Sequence, residues 1–242
     1  MKFCASFTTL PSRVDNIQET LESIFKQTVK PDKIFLNLPY NFRRFKNYQF
    51  TNEQIIKLKK FDIIVNRCED YGPGTKIMGA YEMIKDNFDC VILFDDDHIY
   101  NPKCFEIMLD HFEKDKVNYS FYLNKIFNIN HGQCADLLLI NTQFLNEIEI
   151  FYNKYVKNSK NMFLDDDLWL AIFLYCEKKT SINNLIQIFK KKINENVVYK
   201  QNLNKDIDAL HQTIHKDKFL INRRKIQKIE FIKYKFKKFF NF

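Results

Sequence analysis

The segment CVILFDDD, residues 90–97, carries the pattern that decides the fold. Its apolar first part, with β-branched side chains, is typical of a strand buried on both faces of a sheet. The aspartates that follow place a concentrated negative charge where this strand ends. In open parallel sheets, ligands bind at the carboxyl ends of the strands. The segment therefore predicts an α/β fold with a charged binding site after Phe94.

Other apolar runs precede this segment and alternate with patterns of helical period. Such repetition, with short buried strands, implies a mostly parallel, Rossmann-like sheet flanked by helices. Chemistry is then expected after Leu10, Leu38, Asn66 and Phe94, where the strands end. The predicted strands are residues 2–10, 33–38, 61–66 and 90–94, and the predicted helices are residues 12–27, 52–60 and 75–86.

The later part of the chain has a different composition. All five prolines and all four glycines lie at or before residue 132. Because these residues are the commonest helix breakers, their absence afterwards favours long helices.

The aspartates 95–97 point to a divalent cation. Unit charges about 4 Å apart repel by about 4 kcal/mol at an effective dielectric of about 20, so a cation among them would be stabilising. In an extended segment Asp95 and Asp97 point to the same side, whereas Asp96 points to the other. Mg²⁺ or Mn²⁺ could therefore bind to Asp95 and Asp97 and also contact a diphosphate. The alternative is a solvated acidic loop or a helix cap.

A second triple, residues 165–167, precedes a run with helical character, residues 167–174. Acidic residues favour helix N-termini, where they cap backbone amides and interact with the helix dipole. A catalytic base at a helix start is also chemically reasonable, since a positioned carboxylate can accept a proton. Both interpretations stay open on the sequence alone.

Several segments, in order, resemble the family 2-like glycosyltransferases of the GT-A fold, especially small bacterial and large-virus enzymes. The similarity runs from about residue 2 to residue 175, with a weaker match near residues 206–238. It implies a glycosyltransferase domain over residues 1–200, with a nucleotide-sugar-binding half (1–100) and an acceptor half (101–200). A helical, basic extension follows over residues 201–242. The matching segments are Thr8-Thr9-Leu10-Pro11-Ser12-Arg13, Gln27-Thr28, Pro31-Asp32-Lys33-Ile34, Asp70-Tyr71-Gly72-Pro73-Gly74-Thr75-Lys76, Phe94-Asp95-Asp96-Asp97 and Asp166-Asp167-Leu168-Trp169.

This resemblance implies a role for each matching position on the donor side. The turn containing Thr9, Pro11 and Arg13 would border the nucleotide. Asp70 would face the base, and Lys76 would lie near the nucleotide or its phosphates. The acidic residues of the DxD pattern would bind ribose and metal, with Asp95 and Asp96 near the donor and Asp97 and Asp95 as ligands of Mn²⁺ or Mg²⁺.

On the acceptor side, the resemblance implies that Asp167, or its neighbour Asp166, deprotonates the acceptor hydroxyl. This arrangement accompanies an inverting displacement in the family. The implied partners are a nucleotide-sugar donor and a glycan or lipid-linked acceptor of cell-surface polysaccharide synthesis. A late histidine, His211 ahead of His215, would complete the metal site, although surface histidines at this spacing are commoner.

Three further residues each carry two interpretations. Asp136 would contact the acceptor or belong to an ordinary loop. His98 would touch metal or acceptor, or simply occupy a turn. Trp169 would form an acceptor platform, although core packing is favoured for a tryptophan in an apolar run.

The formal net charge of +8 indicates an anionic partner, and much of the excess lies in the tail, residues 223–242. Basic residues alternate there with large apolar ones, so the tail would lie on an anionic membrane or pack its aromatic residues on the domain. The scattered cysteines, without a CxxC pair, are predicted to be reduced and buried. We expect a cytoplasmic protein that can associate peripherally with a membrane.

Two other functions compete with glycosyl transfer. Metal-dependent nucleotidyl or phosphoryl transfer also uses paired aspartates, but no phosphate-binding glycine loop is present in the sequence. A nucleic-acid-binding module would explain the basic tail. The acidic triples argue against that module, and no nucleic-acid partner is expected.

Overall fold

The computed structural model describes residues 1–201, 203 and 216–240, and these residues contain a central seven-stranded sheet. The strands are β1 (Phe3–Thr8), β2 (Lys33–Pro39), β3 (Ile64–Cys68), β4 (Cys90–Leu93), β5 (Ile99–Tyr100), β6 (Asn118–Ser120), β7 (Leu123–Ile126), β8 (Ile129–Gly132), β9 (Leu138–Asn141), β10 (Ile182–Asn184) and β11 (Val198–Lys200). The α-helices are α1 (Gln18–Phe25), α2 (Asn52–Leu58), α3 (Thr75–Met78), α4 (Tyr81–Ile84), α5 (Cys104–Asp115), α6 (Ile148–Phe151), α7 (Lys160–Phe163), α8 (Asp166–Ile172), α9 (Ile186–Ile193) and α10 (Lys216–Phe239).

The sheet is mostly parallel, with strand order β10-β6-β9-β4-β1-β2-β3. Strands β3, β2, β1 and β4 pair in parallel, and β10 is parallel to β6. Strand β9 alone runs antiparallel to its neighbours, β4 and β6. Outside this sheet, β5 pairs with β11 and β7 pairs with β8, both antiparallel. The predicted mostly parallel α/β fold is therefore confirmed.

Alternating side chains of the central strands pack into separate cores on the two faces of the sheet. In β4, Val91 and Leu93 enter one core, and Cys90 and Ile92 enter the other. Every side chain of β4 is buried, because both faces of the sheet are covered by helices. This is why the strand sequences are continuous apolar runs, and why polar residues collect at the strand ends.

Two of the predicted helices are interrupted in the structure. In place of a helix over residues 12–27, a 3-10 turn (Pro11–Arg13) precedes α1, which begins only at Gln18. The predicted helix over residues 75–86 is divided into α3 and α4 next to Gly79. A Cβ atom on Gly79 would lie 2.7 Å from Cβ of Asn37, so only glycine permits this close approach to β2.

The prediction of long helices after residue 132 is wrong except for α10. The helices there are short and include π-helical turns at Tyr152–Val156 and Phe173–Glu177. Non-glycine residues with positive φ take the place of glycine at the breaks. Glu147 (φ 69°) precedes α6, and Asn194 (φ 57°) follows α9. Polar residues adopt this left-handed conformation at moderate cost, so a chain without glycine can still turn.

Helix α10 packs against the second half of the domain. Phe231 and Tyr234 join the core that contains Trp169. The hydroxyl of Tyr234 donates to Glu177 at 2.5 Å, and Lys238 pairs with the same carboxylate at 2.6 Å. Within the described ranges, no helix is both long and apolar enough to cross a bilayer.

Candidate active site

A cavity of about 430 Å³ lies beyond the carboxyl ends of β1, β2 and β4. This volume is within the usual range for sites that bind small molecules and cofactors. Both acidic triples line it, although they are far apart in the sequence. The residues predicted for the site that line the cavity are Thr9, Arg13, Asp70, Lys76, Asp95, Asp96, Asp97, Asp166 and Asp167.

Asp95 lies at the edge of the cavity and is paired with a buried lysine. Its Oδ1 atom is 2.5 Å from Nζ of Lys76, and a third of its side chain remains exposed. Burial by itself would raise the pKa of Asp95, but the Lys76 ammonium group lowers it below the usual value. Asp95 therefore lines the cavity as a carboxylate that its lysine partner keeps ionised.

Asp96 is held by the turn after β1. Residues 96 and 97 themselves lie in a turn, so the alternation of an extended segment does not apply to them. Its Oδ2 accepts a hydrogen bond from Thr9 Oγ1 at 2.5 Å, and its Oδ1 pairs with Arg13 at 2.8 Å. Thr20 Oγ1 also donates to its backbone carbonyl. Pro11, which is buried, begins the turn that carries Arg13. Both oxygens of Asp96 are thus engaged, so it positions the loop after β4.

Asp97 is held on one side only. Its Oδ1 is 2.6 Å from Nδ1 of the adjacent His98, and its main-chain carbonyl accepts from the amide of Leu203. Burial would lower the pKa of His98, but the hydrogen bond to Asp97 raises it. Among the described residues, Asp97 Oδ2 and Asp95 Oδ2 accept no hydrogen bond. These oxygens fit a hard divalent cation, which prefers carboxylate ligands.

The second triple begins with a residue that caps a helix. Asp165 Oδ1 accepts from the amide of Leu168 at 3.3 Å and so caps α8. Its carboxylate also pairs with Arg223 at 2.9 Å and accepts from Gln227 Nε2 at 2.8 Å. The capping interpretation of this triple is therefore confirmed for Asp165, and α10 supplies the other partners of this side chain.

Asp166 and Asp167 have a different environment. Asp166 Oδ2 is 3.2 Å from Lys76 Nζ, and Asp167 Oδ1 accepts from the amide of Cys134 at 3.0 Å. Burial raises the pKa of both carboxyl groups to about 6, in spite of the opposing effect of Lys76. Carboxylates with a pKa near neutrality are suited to proton transfer.

Lys76 joins the two triples. Its side chain is 5% exposed and contacts both Asp95 and Asp166. Burial would lower the pKa of Lys76, but Asp166 and Asp95 raise it well above the usual value. The helix that carries it is fixed to the sheet, because Ser6 Oγ donates to the carbonyl of Lys76 at 2.5 Å. Lys76 therefore neutralises the centre of the site from within the protein.

The loop at residues 70–74 packs against α7 and α8, the two helices on either side of Asp165. Asp70 accepts hydrogen bonds from the amides of Arg43 and Gly72, which fixes its orientation. Gly72 has φ +62°, and a Cβ atom there would lie 2.4 Å from the carbonyl oxygen of Phe163. A Cβ atom on Gly74 would lie 2.7 Å from Trp169. Because both positions are glycine, the loop at residues 70–74 can contact α7 and α8 closely.

The remaining candidates are distributed as follows. Trp169 is fully buried in a core, which confirms its packing role and excludes an acceptor platform. Asp136 has a raised pKa because of burial, and His98 and Asp95 are its electrostatic neighbours. His211 and His215 lie outside the described residues. The cysteines are confirmed as free thiols, and all except the partly buried Cys68 are buried.

The sequence did not reveal three residues around the second triple. Arg223 and Gln227 were counted as part of a basic tail, whereas they bind Asp165 across the domain. His131 is 1% exposed, and neither of its ring nitrogens forms a hydrogen bond with a residue that the structure describes. Burial lowers its pKa. No sequence signal marked it, because its proximity to Asp165 arises only from the packing of β8 on α8.

Two groups of side chains near the second triple could also offer ligand atoms to a metal. One contains His131, Asp165 and Asp167, and the other contains Cys134, Asp166 and Asp167, with ligand atoms within 4.8 Å of one another. However, Arg223 and Lys76 already supply positive charge to these carboxylates. Asp95 and Asp97 are the better pair for a cation, because each has a carboxylate oxygen to which no residue in the described part of the chain donates.

No family model matches this sequence, and a search of curated proteins gives no match. Among solved structures, the chain is similar to S. aureus TarS 1-349 in complex with UDP, with 13% identity and a TM-score of 0.44 over 70% of this chain and 56% of that chain. The complex with UDP-GlcNAc gives 12% identity and a TM-score of 0.43 over 70% and 54%.

The chain is also similar to 4-diphosphocytidyl-2C-methyl-D-erythritolsynthase from Anaerococcus prevotii DSM 20548. The identity is 11% and the TM-score is 0.49, over 76% of this chain and 86% of that chain. The chain spans just over half the length of the TarS 1-349 structures that it matches. At these identities the similarity concerns the overall α/β arrangement alone.

Proposed function

We propose that this protein is a metal-dependent glycosyltransferase that moves a sugar from a nucleotide-sugar donor to an acceptor hydroxyl with inversion. The observation that carries the proposal is the convergence of both acidic triples on one cavity, with Lys76 between Asp95 and Asp166. The first triple offers the carboxylate of Asp95, whose pKa Lys76 lowers in spite of burial, and the second offers carboxyl groups whose pKa burial raises to about 6. Metal binding and proton abstraction are the two chemical tasks that this reaction requires.

The donor is assigned to the end of the cavity formed by the turn after β1, the Asp70 loop and the first triple. Asp95 and Asp97 would hold Mn²⁺ or Mg²⁺, which would neutralise the negative charge that develops on the departing diphosphate. His211 stays a predicted additional ligand. Arg13 serves indirectly, because it holds Asp96 and so the loop that carries the ligand pair.

The acceptor is assigned to the end lined by α8 and α10. The acceptor hydroxyl would transfer its proton to Asp167 while its oxygen attacks the anomeric carbon. The bond from that carbon to the phosphate oxygen breaks, and its electron pair leaves with the nucleoside diphosphate. Asp167 is preferred to Asp166 because Asp166 pairs directly with Lys76. A single displacement of this kind inverts the anomeric configuration, and the products are compatible with polysaccharide synthesis.

A thermal-shift screen is the first test. Nucleotides and nucleotide sugars, including UDP-GlcNAc, are compared with and without Mn²⁺, and oligonucleotides serve as controls. We expect Mn²⁺-dependent stabilisation by a nucleoside diphosphate and its sugar conjugate, because ligand binding raises the melting temperature. Stabilisation by the oligonucleotides alone would disprove the proposal.

Analysis of the products separates glycosyl transfer from its enzymatic alternative. Slow donor hydrolysis should yield free sugar and a nucleoside diphosphate. Release of pyrophosphate from a nucleoside triphosphate would instead assign a nucleotidyl transferase to the same cavity. Two variants serve as controls. Asp97→Asn should lose the metal-dependent reaction, and Asp86→Asn, which changes an exposed aspartate outside the site, should keep it.

A further inference from the structure

The outer face of α10 has an unusual composition for a surface helix. Glu230 is the single acidic residue between 222 and 240, and it is 4% exposed, bonded to Ser159 and Asn161. No exposed carboxylate therefore lies on this part of the helix. Apart from Asn222, the exposed residues of this range are Arg224, Lys225, Ile226, Lys228, Ile229, Ile232, Lys233, Lys235, Phe236, Lys237, Lys238, Phe239 and Phe240.

The exposed apolar residues form one stripe. At about 3.6 residues per turn, Ile226, Ile229, Ile232, Phe236 and Phe239 fall within an arc of roughly 140°. Their exposed fractions rise along the helix, from 37% at Ile226 to 83% at Phe239. We call these five residues the α10 stripe. Large apolar side chains grouped in this way usually mark an interaction surface.

The opposite face of α10 already fixes the helix to the domain. Arg223 and Gln227 bind Asp165, and Phe231 and Tyr234 enter the core. The stripe is therefore not needed to hold the helix in place. The sequence left membrane contact and aromatic packing as alternatives for the tail. In the structure, Phe231 and Tyr234 pack on the domain, and the five residues of the stripe stay exposed on the same helix.

The lysines around the stripe indicate the chemistry of its partner. By the same helical spacing, Lys228 and Lys235 lie on one side of the stripe and Lys237 lies on the other. Lys225 and Lys233 fall within the arc of the stripe, Lys233 near the edge that Lys237 flanks. On the second side, Lys160, Lys233 and Lys237 line a separate cavity of about 300 Å³. An apolar stripe with lysines on both sides is the pattern of a helix that lies in the interface of an anionic bilayer.

We propose that the outer face of α10 binds the surface of an anionic lipid bilayer. The stripe would enter the boundary between headgroups and acyl chains, and the flanking lysines would contact anionic headgroups. Nucleic acid would account for the lysines but not for the exposed isoleucine and phenylalanine side chains beside them. An anionic bilayer accounts for both features, through its headgroups and its acyl chains.

The position of the stripe also points to the acceptor, an inference that rests on the proposed function. Ile226 begins the stripe and also lines the active-site cavity, beside Asn222 and Arg223. A bilayer bound along the stripe would therefore lie at the acceptor end of the cavity. The acceptor class that fits this arrangement is a hydroxyl carried on a lipid in the same bilayer.

Vesicle flotation of the full chain tests the membrane surface. The wild-type protein is mixed with vesicles of phosphatidylcholine alone or with phosphatidylglycerol added. We expect binding to the anionic vesicles and at least tenfold weaker binding to the neutral ones. The double variant Ile229→Ser/Phe236→Ser should lose at least tenfold in binding to the anionic vesicles.

A matched control removes equally exposed apolar residues elsewhere. Ile56 and Ile150 are 61% and 66% exposed on α2 and α6, so Ile56→Ser/Ile150→Ser should bind the vesicles like the wild type. Equal vesicle binding by the stripe variant and the wild type, or no wild-type binding, would overturn the inference. So would a dimer in solution that the stripe variant converts to a monomer, because a second copy would then cover this face.

Donor hydrolysis keeps this inference separate from the proposed function. Hydrolysis in solution needs no membrane, so the stripe variant should retain the wild-type rate. A protein that hydrolyses the donor but does not float with vesicles contradicts only the membrane surface. A protein that floats but binds no nucleotide sugar contradicts the proposed function and the lipid acceptor, and it leaves the membrane surface supported.

Discussion

The two acidic triples have the same sequence but different partners. In residues 95–97 the middle carboxylate is fixed, by Thr9 and Arg13. In residues 165–167 the first carboxylate is fixed, by the α8 amide, Arg223 and Gln227. All six aspartates line the cavity, and each triple has one whose two carboxylate oxygens are both bound by neighbouring side chains or amides. The local backbone also differs, because residues 96 and 97 lie in a turn whereas residues 166 and 167 begin α8.

The remaining aspartates differ in ionisation. Lys76 lowers the pKa of Asp95 in spite of burial, whereas burial raises the pKa of Asp166 and Asp167 to about 6. A permanently ionised oxygen is the better metal ligand, and a carboxyl group that titrates near neutrality is the better base. Two segments with the same sequence, Asp-Asp-Asp, are thus suited to different chemistry because their neighbouring residues differ. The protein itself supplies part of the positive charge around residues 95–97, because Lys76, Arg13 and His98 contact them.

The largest expected effect concerns the base. Asp167→Asn removes the proton acceptor and should lower kcat by about 10²–10⁴-fold, with little change in donor affinity. Steady-state kinetics and nucleotide titration measure the two quantities. The paired variant Asp166→Asn should have the smaller effect, and the reverse order would transfer the role of base to Asp166.

The next effect concerns the metal ligands. Asp97→Asn keeps the size of the side chain but removes its charge, so metal-dependent turnover should fall by at least about 10²-fold. Circular dichroism should show an unchanged fold, and Asp86→Asn serves as the control. Full activity of Asp97→Asn, or of the wild type in EDTA, is incompatible with a metal at the first triple.

The fixed aspartate of the first triple should matter for stability. Asp96→Ala removes a buried carboxylate that pairs with Arg13 and accepts from Thr9, and breaking such a pair costs about 3–5 kcal/mol. Denaturant unfolding measures the loss. The exposed pair of Asp15 and Lys57 provides the comparison, since Asp15→Ala should change the free energy of unfolding by less than about 1 kcal/mol. If both variants lost the same free energy of unfolding, Asp96 would contribute no more to stability than an exposed aspartate.

The smallest effect is a shift in the pH profile. Activity should rise with pH through about 6, because the base acts only when it is deprotonated. Arg223 lowers the pKa of Asp167, so Arg223→Met should move the acidic limb of the profile to higher pH, and Arg223→Lys should largely restore it. A profile of kcat that keeps its position in Arg223→Met would exclude this electrostatic coupling.

The first half of the molecule was more predictable than the second. Residues 33–38 and 90–94 form strands as predicted, because a parallel strand buried on both faces must be a continuous apolar run. The helix boundaries failed where tertiary contacts intervened. Arg13 leaves the helical path to reach Asp96, and Gly79 interrupts a helix to approach β2. In the second half, residues such as Glu147 adopt positive φ without any glycine signal.

The sequence by itself determined the α/β class, the place of the first acidic triple at a strand end and the amphipathic character of the tail. These features are encoded in neighbouring residues, whose periodicity and charge follow directly from the order of the chain. The tertiary structure alone decided which aspartates are fixed by other side chains and that both triples line one cavity. Arg223 meets Asp165 across 58 positions, and Lys76 reaches both triples. Partners and burial determine a carboxylate's pKa, and both arise only when distant segments pack together.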